Sequence, residues 1–265
     1  MQPLIGTLLA ILIAIAAWRA GSLSASGALG ATITGGLIFG LGGLPWAILL
    51  LTFFISSSAL SRAFSQRKAG LAEKFSKGNR RDWGQVLANG GLGALLVVVY
   101  SMTQSDWLWL AYAGAMAAVN ADTWSTELGV LSPIQPFMIT SGRRVERGTS
   151  GGVSLIGTLA AMGGAGLVGA MAVLFKPAPN GLATLGIIAL AGYVGSFYDS
   201  FLGATVQAIY WCPTCQKETE RHPLHTCGAQ TSLVRGYAWI NNDMVNFACS
   251  LMGAILASAA WFFPT

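Results

Sequence analysis

The chain has little charge. Of its 265 residues only 9% are Asp, Glu, Lys or Arg, against roughly 25% in a soluble domain, which excludes an ordinary water-soluble globule. Histidine is nearly missing: the two residues present, His222 and His225, both fall beside cysteines, so no Ser-His-Asp set can be assembled. No glycine-rich stretch ends in Gly-Lys-Ser/Thr, which excludes a Walker A loop. What fills the chain is apolar, with 54% hydrophobic residues, a mean hydropathy of +0.60 and 34 glycines spread through the apolar runs. That is the composition of an integral membrane bundle in which small residues let helices approach closely. The net charge of +5 is explained by topology and gives no reason to expect nucleic acid as a partner.

Eight apolar segments stand at about 3–18, 27–42, 45–60, 86–103, 107–131, 151–175, 182–210 and 237–263. They predict an all-α, polytopic transmembrane helix bundle, a single integral membrane domain over 1–265 with loops at 61–85, 132–150 and 211–236. Counts from six to nine remain open, because the first three segments are short for a bilayer that needs ~20 residues. Those three are expected to be tilted, broken or partial, and the second and third can also be read as one interrupted unit. Leu4 to Trp18 has no basic leader and no clear small-residue cleavage site after it, so it reads as a retained helix.

The basic residues orient the bundle. Arg19; Arg62, Arg67, Lys68, Lys74, Lys77, Arg80 and Arg81; Arg143, Arg144 and Arg147; and Lys217, Arg221 and Arg235 lie in alternate connections, 14 of the 15 Lys and Arg residues. Lys176 alone falls on the other side. The positive-inside rule makes the basic side cytoplasmic, in a prokaryotic inner membrane or a photosynthetic membrane.

Four acids interrupt the apolar segments: Asp122, Glu127, Asp199 and Asp243. Each costs at least ~2.5–3.5 kcal/mol in hydrocarbon, a cost met where the group faces a wet cavity and binds something. At 1.5 Å per residue all four lie within roughly 10–20 Å of the cytoplasmic edge, on three separate helices, and so predict a convergent cavity open to the cytoplasm. Asp122 and Glu127 are some 140° apart in helical projection, so Glu127 is expected to serve a different neighbour, unless the helix is broken. The plainer reading of this pair is hydrogen bonding to adjacent helices. Asp199, Gly203 and Gln207 share one face at i, i+4 and i+8, with Gly203 leaving room beside the carboxylate for a ligand or a helix. Asn242, Asp243 and Asn246 form a third cluster. An oxygen-rich set of this kind suits Mg²⁺ better than zinc, above all with phosphate oxygens completing the shell; a proton or sodium relay is the competing reading.

Two loops add chemistry. Ser141-Gly142-Arg143-Arg144-Val-Glu-Arg147-Gly148-Thr149-Ser150-Gly151-Gly152 runs straight into an apolar segment. Its arginines and unpaired helix-start amides suit phosphate, although basic flanks and helix caps can look the same. Arg62 to Arg81 is the most basic stretch, explained chiefly by anchoring to anionic lipid headgroups; Arg80, Arg81, Gln85 and Asn89 can also approach a nucleotide or phosphate. Cys212-Pro-Thr-Cys215, followed by His222, His225 and Cys227, offers three thiolates and an imidazole for a structural zinc. His225 is the preferred fourth ligand through the His-Thr-Cys spacing, with His222 the substitute. A cytoplasmic loop argues against a disulfide, and free thiols are the alternative.

The blocks Gln85-Val-Leu-Ala-Asn89-Gly-Gly91, Asn120-Ala-Asp122-Thr-Trp-Ser-Thr-Glu127, Gly148-Thr-Ser-Gly-Gly152, Gly195-Ser-Phe-Tyr-Asp199-Ser, Cys212-Pro-Thr-Cys215 and Asn241-Asn242-Asp243 together resemble the membrane family long labelled domain of unknown function 92. That family includes plant phytyl-phosphate kinases of tocopherol synthesis and is distantly similar to phytol and dolichol kinases and CTP-dependent cytidylyltransferases. The resemblance implies a phosphotransferase moving a phosphoryl group from a nucleotide such as CTP to an isoprenoid monophosphate. It implies Asp122, Asp199 and Asp243 as holders of one or two Mg²⁺, with Asn120, Glu127, Asn242 and Asn246 supporting them. Arg143, Arg144, Arg147, Thr149, Ser150, Gly151 and Gly152 would take the phosphates. Cytidylyl transfer and phosphorylation of a free polyprenol remain alternatives on the same fold, and a homodimer is open. An ion-coupled transporter is the alternative of another class, disfavoured by the lack of a clear repeat.

Overall fold

The computed structural model describes residues 1–68, 73–78 and 80–262; the side chains of Arg67 and Lys68, counted above among the basic residues, lie outside that description. Each of the eight expected segments holds one long helix. In order these are α1 (Gln2–Arg19), α2 (Ala25–Leu37), α3 (Leu44–Ala63), α5 (Trp83–Thr103), α6 (Trp107–Gly129), α7 (Leu155–Phe175), α8 (Gly181–Thr205) and α9 (Asn242–Phe262), with a single turn, α4 (Ser65–Lys68), after α3. Among the described residues seven of the spans are long and apolar enough to cross a membrane. Their outward faces carry exposed leucines and isoleucines such as Leu4, Leu12, Leu159, Leu182 and Ile255, a belt that only a lipid environment covers.

The remaining long helix, α6, is the axis of the bundle. Every residue from Ala111 to Ala121 is buried, because α3, α5, α7, α8 and α9 all pack around it. A helix with no lipid-facing side has no need of high hydropathy, and α6 has spent that freedom on Asn120, Asp122 and Glu127. Close approach is obtained with small residues. Gly114 and Gly253 meet backbone to backbone between α6 and α9, and a Cβ on Gly253 would come within 2.7 Å of Ala118 Cβ. In α1 the stripe Gly6, Ala10, Ala14, Ala17 is the buried face, and Gly6 lies against the backbone of Gly40.

The break expected in the second and third segments is present. α2 widens into a π-helical turn, Ile38–Gly42, and Gly43 at φ +77° redirects the chain into α3. Other boundaries differ from expectation. The seventh segment is helical only to Thr205, and its apolar continuation forms a strand, β3 (Ile209–Cys212). The eighth begins at Asn242 rather than 237, and the sixth at Leu155, where Ser154 caps the helix by accepting from the Gly157 amide. In the sixth and seventh segments the stretch beside the membrane pairs as β structure, a state that hydropathy alone does not separate from helix, whereas residues 237–241 ahead of α9 form a turn.

Two small antiparallel sheets dress the basic end. β1 (Phe137–Met138) pairs with β2 (Gly152–Val153), and β3 is flanked by β4 (Lys217–Thr219) and β5 (Ser232–Arg235), with Tyr210 opposite Thr219 on one side and Leu233 on the other. The loops lock together through Lys74–Glu146 at 2.7 Å, Lys217–Glu73 at 2.5 Å and the Glu220 amide donating to Lys74 O at 2.9 Å.

Candidate functional site

Where these loops meet the helix ends, a cavity of about 480 Å³ opens. Three of the four interrupting acids line it: Asp122 and Glu127 from α6 and Asp199 from α8; Asn242 and Asn246 come from α9, and Arg147 and Gly148 to Gly152 from the loop before α7. The convergence expected from the sequence is therefore present for most of the set.

Asp122 and Asp199 lie close enough to repel one another, and Asp199 Oδ2 is buried with no hydrogen-bond partner. A buried carboxylate oxygen left in that state beside a second carboxylate is an incomplete arrangement; a hard cation would complete it, since Mg²⁺ takes oxygen donors and retains water or phosphate in its shell. The donors present thus fit the expected ion.

Glu127 serves a separate neighbour, as its projection requires. Its carboxylate accepts from Ser61 Oγ at 2.7 Å, and its charge favours the guanidinium of Arg81, whose pKa burial otherwise lowers. Arg81 donates to Ser57 and Ser58 at 3.0 and 2.8 Å and lies over Phe53 and Phe54. It also stands between two spaces. With Gln85 and Asn89 it lines both the polar cavity and an apolar crevice of about 70 Å³ walled by Ala10, Leu23, Phe39 and Phe53.

Asp243 is engaged differently. Its Oδ2 pairs with Lys77 Nζ at 2.5 Å, and Lys77 also reaches Asp82 at 2.9 Å, leaving Asp243 Oδ1 buried without a partner. Burial disfavours charge on Lys77, but the bonds to Asp243 and Asp82 outweigh it and raise the ammonium pKa. Asn120 is fully buried behind the cavity, where its amide donates to Gly164 O at 2.8 Å and its carbonyl accepts from Ser56 Oγ at 3.0 Å. Arg143 and Arg144 are exposed on the hairpin between β1 and β2, with Arg144 over the Phe137 ring, and neither is among the residues lining the cavity. The room beside Gly203 is taken by the Thr149–Gly152 loop: a Cβ there would meet Ser150 Oγ at 2.6 Å.

Glu220 is the residue that sequence reasoning passed over. It lines the cavity, accepts from Gln207 Nε2 at 2.9 Å and from the Ser76 amide and hydroxyl at 3.3 and 3.4 Å. Burial pushes its carboxyl pKa up despite those bonds. Gln207 in turn accepts from Ser150 Oγ at 2.8 Å, which joins the sheet loop to the glycine-rich loop. Glu220 follows Lys217-Glu218-Thr219, a run that reads as solvated loop; only the pairing of β4 with β3 turns it inward.

At the far side of the same sheet the donor atoms of Cys212, Cys215, His225 and Cys227 all lie within 4.8 Å of one another. His225 is buried and is the histidine brought to the thiols, whereas His222 stacks on Tyr210 at 4.4 Å.

Fold and site together define a polytopic helical membrane protein with a charged, oxygen-rich cavity at its basic end. The chain belongs to the family described as integral membrane protein DUF92, whose profile matches residues 8–254. It is 33% identical to Protein PGR of Arabidopsis thaliana over 94% of this chain and 92% of that protein. An uncharacterized membrane protein of Methanocaldococcus jannaschii is 34% identical over 77% of this chain and 84% of its own length. Protein VTE6, chloroplastic, of Arabidopsis thaliana is 25% identical over 89% of this chain and 64% of that protein. No solved structure matches the chain.

Proposed function

We propose that this protein is a Mg²⁺-dependent membrane phosphotransferase that moves the γ-phosphoryl group of a nucleotide, CTP in the first instance, to an isoprenoid monophosphate such as phytyl phosphate. The observation that carries the reading is the meeting of the unpartnered Asp199 carboxylate, Asp122, Arg81, Arg147 and the Gly148–Gly152 loop around one cavity. Family membership adds the reaction class, through the resemblance to phytyl-phosphate kinases set out above.

Asp122 and Asp199 would hold the metal, with Asn242 and Asn246 beside them, and Mg²⁺ there would neutralise nucleotide phosphate charge. Arg147 and the loop amides bind the nucleotide phosphates. Arg81 holds the acceptor phosphate, whose chain passes into the apolar crevice on the other side of the same guanidinium. The acceptor oxygen forms the new bond to the γ-phosphorus as the bond to the β-bridging oxygen breaks, and CDP leaves. A phosphate acceptor is already nucleophilic near neutral pH, so positioning and charge neutralisation suffice without a strong general base. Asp243 keeps Lys77 at the cavity wall. The site faces the cytoplasm, where nucleotide is supplied.

Purified protein with Mg²⁺, CTP and phytyl phosphate is expected to yield CDP and phytyl diphosphate by mass spectrometry. Asp122→Asn and Asp199→Asn should each lower the rate by at least ~10²-fold, as for loss of an electrostatic stabiliser. Full activity in both variants removes the metal site. Pyrophosphate in place of CDP assigns nucleotidyl transfer instead. CTP left intact with every isoprenoid phosphate tried, and no nucleotide binding, overturns the reading.

A further inference from the structure

We infer that Cys212, Cys215, Cys227 and His225 bind one structural Zn²⁺, and that this ion holds Glu220 and Arg221 in the wall of the polar cavity. Cys212 Sγ and Cys227 Sγ are 3.5 Å apart, and His225 Nδ1 is 3.4 Å from Cys227 Sγ. A tetrahedron with Zn–S bonds of ~2.3 Å and a Zn–N bond of ~2.1 Å has edges of about 3.5–3.8 Å, so donors already gathered within 4.8 Å need only small adjustments to close around the ion. The backbone is shaped to the same end. The Cys215 amide points at Cys212 Sγ at 3.4 Å, and the residues after Cys215 and Cys227, Gln216 at φ +52° and Gly228 at φ +82°, both take the left-handed conformation. Two tight turns therefore present their thiols to one point. Four donors from one short loop fill a tetrahedral shell and leave no open position, which makes the site structural.

The consequence for the cavity follows from the chain path. Cys215 lies in the turn out of β3, β4 occupies Lys217–Thr219, and the next residues are Glu220 and Arg221, both at the cavity wall. Strands of three and four residues, with Leu233 and Val234 exposed, bury little core of their own, and a metal staple supplies what so small a unit lacks. The ion ties the β3–β4 turn to the His225–Cys227 turn, and so fixes the strand that carries Glu220 to Gln207 and Ser76.

The test is metal analysis of the full-length protein purified in detergent without chelator. One zinc per chain is expected, retained in Cys249→Ser and lost in Cys215→Ser. Iron in the same amount, a Cys212–Cys227 disulfide, or four thiols that alkylate freely in a metal-free native protein to which added Co²⁺ gives no thiolate absorption, would each overturn the site. For the second half, hydrogen exchange is compared before and after zinc removal with a chelator. Exchange at least ~10-fold faster over residues 217–221 and 148–151, with α5 and α6 unchanged, is expected. Unchanged exchange over 217–221 would sink the link to the cavity. Neither readout uses catalysis, so failure of the phosphotransferase reading leaves both standing.

Discussion

At the scale of the residue, Asp199 is costly in the way functional residues are. Its Oδ2 has no partner and its charge is repelled by Asp122; a position kept in that condition trades stability for binding. Asp199→Asn relieves the repulsion. In metal-free detergent solution the variant should melt about 2–4 °C higher for each kcal/mol recovered in a chain of this size, while the proposed phosphoryl transfer should fall by at least ~10²-fold. Saturating Mg²⁺ should raise the melting temperature of the wild type and leave the variant where it was. A wild type indifferent to Mg²⁺ in this thermal-shift measurement would argue that the two carboxylates do not share an ion. Asn120 makes the contrast. It shares a sequence block with Asp122, yet its amide is satisfied by Ser56 and Gly164, and its contribution is to lock α3, α6 and α7 together behind the site.

At the scale of the element, the cavity depends on how closely α8 and α9 pack on α6, because those helices carry Asp199, Asn242 and Asn246. Glycine sets that distance. A Cβ at Gly253 would press into the Gly114 backbone and come within 2.7 Å of Ala118 Cβ, whereas one at Gly186 in α8 meets nothing within 4 Å. Gly253→Ala should therefore destabilise by about 1–3 kcal/mol, the usual cost of overpacking, and lower activity by shifting α9. Gly186→Ala should be neutral or stabilising by about 0.5–1 kcal/mol, the ordinary helix preference for alanine. Melting temperatures of the two variants side by side check this; equal losses would mean that composition rather than close approach governs these positions. Composition was what the sequence displayed. Thirty-four glycines announced a tightly packed bundle, but which of them touch backbone depends on pairings between helices far apart in the chain.

At the scale of the whole molecule, the eight helices, the basic end and the gathering of acids there were legible because each follows from local cost: hydrocarbon selects apolar runs, and buried charge marks exceptions. Glu220, the place of Lys77 between Asp82 and Asp243, and the exclusion of Arg143 and Arg144 from the wall were not legible, since loop residues carry no such cost and are placed by sheet pairing and ion pairs. The orientation is the inference of largest reach, and it bears on function directly. The cavity opens among the basic loops, so if those loops face the cytoplasm the site draws on cytoplasmic nucleotide, and if they face outward it has none. Ser141 lies on the exposed hairpin at that end, and Pro179 is exposed in the connection at the opposite end. With a membrane-impermeant maleimide and the wild-type signal subtracted, Pro179→Cys should label on intact cells, and Ser141→Cys only after the membrane is permeabilised. The reverse pattern would overturn the positive-inside assignment and, with it, a nucleotide-dependent reaction in this cavity.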